Sequence, residues 1–354
     1  MAKRVLFMSV ALLMGNVAYA QEKPPVDPVD VKDSITKTPI DELVGWLSGS
    51  DADRQIAESE LPRRGKAATP GLLACLVESS KSTEARVSAA KCLRKIKGET
   101  DQAYQARASS AVPALLDAYK NQGYPLAVRG EAALALGELN ATNAIPDLIE
   151  GLANNMFKVS ETARASLVKM GAPAVEPLIA AYDREMAVVE NPKWKEKEKE
   201  AYSARDGLVF RALLILGDVG GEKARAALAS AIKTSKGSRA VGVRHHAALA
   251  MGLLRESGDK DYKQAIDPLI NAFAEEKDSL VAKFILRSLE WLTQPARQSL
   301  GDTDDLGQIP YRWKAWWNVN KDRILGTHDA SDDNIEVPVP APGTPLKPVE
   351  PKQK

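Results

Sequence analysis

The sequence predicts an all-α protein, an α-solenoid wound as a right-handed superhelix from about seven helix pairs and closed by a tryptophan-rich C-terminal helix. Three observations predict it. Alanine and leucine recur four residues apart in matching columns along the chain, a second set of apolar pairs follows each of them, and prolines open that second set. Aromatic residues are only 5% of the chain, so Ala, Leu and Val must carry the core, which suits helices that cross closely. A chain of 354 residues would otherwise need more than one domain at ~100–200 residues each, whereas an array simply lengthens.

The repeat is clearest at residues 128–152, VRGEAALALGELNATNAIPDLIEGL, which reads as an apolar helix, a short turn and a second apolar helix opened by Pro146. Its alanine column is Ala57, Ala89, Ala132, Ala163, Ala212 and Ala247, with Ile285 in the last copy. Four residues on stand Leu61, Leu93, Leu136, Leu167, Leu216, Met251 and Leu289, on the same helical face. The second helix repeats as Leu72-Leu73, Leu115-Leu116, Leu148-Ile149, Leu178-Ile179 and Leu269-Ile270, with Leu43-Val44 opening the series. Prolines 70, 113, 146, 177 and 268 are expected in its first turn, where a missing N–H costs nothing. This pattern resembles the HEAT-like repeat of the short bacterial, PBS-lyase type, an armadillo-like family: V-R-x-x-A-A-x-A-L-G-x-L-G, a turn, then A-[VI]-P-x-L-I-x-x-L. About seven helix pairs fall between Pro39 and Leu292, so the resemblance covers roughly three quarters of the chain, and the solenoid with its cap is expected over residues 39–325. It implies a fold far more than a function, since such repeats serve many roles.

Insertions break the array at Gly98 to Ser110, Asp183 to Ala204, Lys233 to Ala240 and Arg255 to Gln264. All are polar, and Lys193 to Glu200 alternates in sign, the mark of a solvated helix extension or loop. The array must also end, because its last apolar face would otherwise stay bare. Tyr311 to Ile324, YRWKAWWNVNKDRI, puts Trp313, Trp316 and Trp317 on one helical face. With the preceding Leu-Thr-Gln and the acidic Gly-Asp-Thr-Asp-Asp loop it resembles the closing element of exported bacterial HEAT-repeat proteins. The expected role is a structural cap, the alternative an exposed platform for a ligand.

The two ends read differently from the middle. Lys3 and Arg4, the apolar run Val5 to Met14 and Ala18-Tyr19-Ala20 form a secretory signal peptide, residues 1–20, cleaved after Ala20. Ten apolar residues fall short of the ~20 a spanning helix needs, so no integral membrane segment is expected. The mature protein is therefore expected to be periplasmic or secreted. Residues 21–38 read as a proline-rich linker. Residues 326–354 read as a tail with prolines at 338, 340, 342, 345, 348 and 351, either a loose spacer or a ligand for a proline-reading partner.

Candidate chemistry is sparse. His245 and His246 are adjacent, so on a helix they point about 100° apart rather than forming an i, i+4 metal pair. No His-Glu pair occurs, which removes the resemblance to HEAT-repeat di-iron hydroxylases. The motifs for haem attachment, for phosphate binding and for a nucleophile elbow do not occur. No catalytic residue, metal ligand or cofactor is therefore assigned. Cys75 and Cys92 fall in columns that want a small residue, on the two helices of one hairpin. In an oxidising compartment they could form a disulfide, and the alternative is two buried thiols. Arg54, Arg86, Arg129 and Arg244 share a column, for which the resemblance implies pairing with an acidic turn residue of a neighbouring repeat.

The resemblance also implies that the arginine-bearing helices line a concave face. Its outward positions run from Arg63, Lys91 and Lys95 to Phe210, Leu214, His245, Leu249, Leu253, Phe284 and Trp291. That predicts a groove basic at its N-terminal end and apolar toward its C-terminal end, a partner-binding surface, unless these residues pack between repeats. The function expected is a non-enzymatic scaffold or adaptor of the cell envelope that binds a protein or peptide. The alternative is an enzyme of a HEAT-like family, bilin-lyase-like or DNA-glycosylase-like. The export signal disfavours it, and a net charge of +1 disfavours nucleic acid as a partner.

Overall fold

Serine and proline place many of the helix starts. The computed structural model describes residues 35–96, 101–154, 156–188, 193, 195–299 and 306–327, without the side chains of 101–109. The expected signal peptide, nearly all of the linker and of the tail, and the acidic loop before the cap lie outside these residues. The chain divides into two units, Met1–Lys97 and Gly98–Lys354. No strand occurs among the described residues.

In the first unit, helix α1 (Ile40–Trp46) follows Pro39, and α2 (Asp51–Glu60) starts on Ser50. The Ser50 hydroxyl accepts from the Asp53 amide at 3.2 Å while the Asp53 carboxylate accepts from the Ser50 amide at 3.2 Å. This reciprocal cap contributes about 1 kcal/mol. A 3₁₀ segment (Leu61–Ala68), bent at Gly65, leads to α3 (Thr69–Val77), with Pro70 in its first turn, and to α4 (Thr83–Lys95), capped by Ser82. Helices α1 and α2 pair, as do α3 and α4, with α2 against α4 and α1 against α3.

The second unit continues the same arrangement. Its helices are α5 (Asp101–Lys120), α6 (Leu126–Glu138), α7 (Ile145–Gly151), α8 (Phe157–Met170) and α9 (Ala172–Ala187). There follow α10 (Glu196–Ala204), α11 (Asp206–Val219), α12 (Glu222–Ala231) and α13 (Ala240–Leu253). The last three are α14 (Ile266–Glu275), α15 (Ser279–Ser299) and α16 (Pro310–Leu325). Pairs form between α5 and α6, α7 and α8, α9 and α11, α12 and α13, and α14 and α15. Helices α6, α8, α11, α13 and α15 pack in succession as one layer, and α16 packs against α14 in the other.

Both columns read from the sequence form the core. Every residue from Ala57 to Ile285 in the first, and from Leu61 to Leu289 in the second, is buried. Each buried leucine contributes roughly 1.5–3 kcal/mol over an exposed one. The first leucine of every pair on the second helices, from Leu43 to Leu269, is buried as well.

Local details differ from the sequence reading. Pro113 and Pro177 lie inside helices rather than in first turns, because α5 and α9 start well before them. Each removes one backbone bond from its helix. The insertion Gly98 to Ser110 is largely the first half of α5. The charged stretch from Asp183 holds α10, a helix with no buried residue, yet it is tied down on both sides. Arg239, 4% exposed, donates to the Asp206 carboxylate at 2.6 Å and to the Glu185 carbonyl at 2.9 Å, and stacks 3.6 Å over Tyr202. Arg205 bridges Glu150 and Glu185, at 2.8 Å to each.

Candidate partner-binding groove

The groove is built by the spacing of α13 and α15. Gly252 on α13 lets them meet closely: a side chain there would place its Cβ 2.8 Å from the Ser288 hydroxyl, which itself donates to the Ala248 carbonyl at 2.8 Å. Beyond this contact the two helices leave an opening of about 880 Å³. Leu249 and Leu253 line it from α13, and Phe284 and Trp291 from α15. Glu256, Arg287, Glu290 and Arg297 stand around it, so the apolar walls carry charges of both signs.

None of the four apolar residues is buried, and Trp291 is 41% exposed. Trp291 is held rather than loose. The Arg255 guanidinium sits 4.5 Å over its ring and donates to its carbonyl at 2.8 Å.

Next to the groove, four rings bridge three successive helices. Phe210 of α11 stacks on His246 of α13 at 4.5 Å, and His245 meets Phe284 of α15 at 3.9 Å. Burial, and His246 beside it, push the His245 pKa below the ordinary 6.5, against the pull of Asp278. Burial likewise lowers His246, whose Nδ1 lies 2.8 Å from the Gly242 carbonyl. Both imidazoles therefore serve as neutral rings in a stack. Among the described residues no three His, Cys, Asp or Glu side chains converge as a metal site would require.

The other sequence-singled residues lie elsewhere. Leu214 is half-buried on α11, away from the opening. Arg63, Lys91 and Lys95 belong to the first unit. There Arg63 lies 3.4 Å from Glu60, Lys91 lies 3.8 Å from Glu58, and Lys95 is exposed. Cys75 and Cys92 are free, buried thiols. Burial raises both, Cys92 to about 12, so neither is a poised nucleophile. Trp313, Trp316 and Trp317 are buried in α16.

At Arg86, Arg129 and Arg244 the arginine column is bonded to backbone carbonyls, and at Arg244 it also makes the implied acidic pairing. Arg86, Arg129 and Arg244 each donate, at 2.9 Å, to a carbonyl ten residues back: Leu76, Tyr119 and Thr234. The Leu76 and Tyr119 carbonyls lie in the last turns of the preceding helices, where unsatisfied acceptors need a donor, and the Thr234 carbonyl lies three residues past the end of α12. Arg244 also has an acidic partner from the next pair, Glu276 at 2.7 Å, and Arg54 pairs with Asp51 on its own helix.

Sequence reasoning missed the far end of the groove. It stopped the last repeat at Leu292, whereas α15 runs through Pro295 to Ser299. Gln294, Arg297 and Gln298 extend the Phe284–Trp291 face by the same helical spacing, and that periodicity was the signal available. Arg255 was hidden in a segment read as a solvated insertion.

Residues 128–154 and 243–275 match the family described as PBS lyase HEAT-like repeat, and the second stretch includes part of α13 and all of α14. Among solved structures, human deoxyhypusine hydroxylase in complex with glycerol is similar at 19% identity, over 75% of this chain and 99% of that one, with a TM-score of 0.31. An engineered protein is similar at 17% identity, over 72% of this chain and 96% of that one, with a TM-score of 0.32. No curated protein matches the sequence.

Proposed function

We propose, from the premise that this is a HEAT-like repeat protein, that it is a non-enzymatic scaffold holding a protein or peptide partner in the groove between α13 and α15. One observation carries the reading. Leu249, Leu253, Phe284 and Trp291 converge on a single opening, and charges of both signs surround them. Apolar side chains displayed in this way gain by covering, at ~25 cal/mol per Å² of apolar surface, and the charges select which ligand does so.

We place the partner in the cell envelope, on the strength of the charged start, the short apolar run and Ala18-Tyr19-Ala20. No helix among the described residues is long and apolar enough to cross a membrane. Mass spectrometry of the protein from its native cells is expected to find Gln21 at the N-terminus, and a retained Met1 would overturn the export assignment. The mature chain, used as bait in envelope extract, is expected to retain a partner that the Trp291→Ala, Leu253→Lys double variant loses. A partner held equally by both forms would remove the groove from the function.

A further inference from the structure

We infer that the groove is occupied in cis by the chain's own proline-rich tail, residues 337–351, which competes there with the external partner. This deepens the groove reading and rests on it. The tail lies outside the described residues, and its spacing, charge and reach fit the groove.

Spacing comes first. Pro342, Pro345, Pro348 and Pro351 recur every third residue. A polyproline II helix has three residues per turn and rises ~3.1 Å per residue, so prolines at this spacing would share one edge of such a helix at ~9.3 Å intervals. Phe284 and Trp291 stand seven residues apart on one face of α15. At ~1.5 Å per residue their spacing along the axis is ~10.5 Å, close to one polyproline turn. Consecutive prolines of that edge can thus rest on Trp291 and Phe284, with Leu249 and Leu253 as the facing wall. Aromatic-lined grooves take such pre-extended segments because little conformational entropy is left to lose.

Charge agrees with this placement. Between its prolines the tail carries Lys347 and Glu350, and the groove offers Glu256 and Glu290 beside Arg287. Either sign on the tail therefore finds its opposite.

Reach is settled by where the described chain ends. The Ile324 carbonyl of α16 accepts from Lys263 at 3.0 Å, and Arg323 and Ile324 line a cleft with Pro295, Ala296 and Ser299 of α15. The same last turns of α15 present Gln294, Arg297 and Gln298 to the groove. The tail therefore leaves the fold about one helix diameter, ~10–12 Å, from the groove's open end. Residues 328–341, at ~3.3 Å each, extend to about 45 Å, enough to round α15 and follow it to Phe284.

The test uses the full chain and a fluorescein-labelled peptide of residues 337–351, followed by anisotropy. A tethered segment acts at an effective concentration of ~1 mM, so the native tail should resist displacement. The expected result is at least tenfold tighter peptide binding to the variant with Pro342, Pro345, Pro348 and Pro351 all changed to alanine than to the unchanged chain. Adding Trp291→Ala to that variant should abolish binding, Trp291→Phe should restore part of it, and circular dichroism should show the same helix content throughout. Equal affinity for the unchanged and four-proline forms would overturn occupancy in cis. Absence of peptide binding to the four-proline form would overturn it as well. In both cases the envelope partner's dependence on Trp291 and Leu253 still decides the groove reading on its own.

Discussion

His245 and His246 show how one residue type acquires a role from its surroundings. Both titrate below 6.5, because protonation would put charge into a partly buried stack of rings. The folded state therefore binds fewer protons than the unfolded chain in that range, and the protein loses stability as pH falls below 6.5. The melting temperature should drop between about pH 7 and about pH 5, and the drop should shrink in a His245→Phe, His246→Phe variant. That window lies above the acid range in which Glu276 is protonated, which Arg244 and backbone amides hold low despite burial. Gly217 gives a second test. An alanine there would put its Cβ 2.3 Å from the Ala250 carbonyl oxygen, a backbone atom that cannot step aside. Gly217→Ala should cost about 1–3 kcal/mol by overpacking. Gly130→Ala, whose nearest neighbour is a methyl at 3.4 Å, should be neutral or gain up to about 1 kcal/mol of helix propensity. Urea titration of both variants separates the two cases. At this scale the column positions were legible in the sequence, because four-residue spacing fixes a helix face. The arginine partners were not, because a backbone carbonyl leaves no trace in residue identity.

Helix α16 shows what an end element must do. Trp313 and Trp317 are among the largest fully buried side chains, and their indole nitrogens donate to the Gly307 carbonyl at 3.0 Å and the Asp267 carboxylate at 2.9 Å. Trp317→Ala should cost about 3–5 kcal/mol, lowering the melting temperature and exposing the face of α14 that α16 covers. An unchanged melting temperature would exclude a capping role. The tryptophan run made this element easy to place, whereas the helix pairs were read only as far as Leu292, three residues short of Pro295. Here the proline is carried inside a 21-residue helix, as tertiary packing outweighs local propensity. Pro113 and Pro177 tell the same story. The anchoring of α10 was equally hidden, since Arg239 and Arg205 look like any other charges in a polar stretch until their partners are brought near.

For the whole molecule, stability is a sum over neighbouring helix pairs rather than the property of one core. Unfolding in urea should therefore depend on the probe. Four of the six tryptophans, Trp291, Trp313, Trp316 and Trp317, sit in α15 and α16, so indole emission is weighted toward the C-terminal end, while far-UV circular dichroism follows every helix. The two midpoints should differ, and coincident curves would show a single cooperative block instead. The arginine bonds add a kinetic corollary. Each joins residues only ten apart, as in Arg86 to Leu76 and Arg129 to Tyr119, so a hairpin can latch shut before any distant part of the chain has arrived. Low contact order of this kind favours fast folding from many starting points. Under the export proposed above, a chain that emerges unfolded on the far side of a membrane could then assemble hairpin by hairpin in the order it appears.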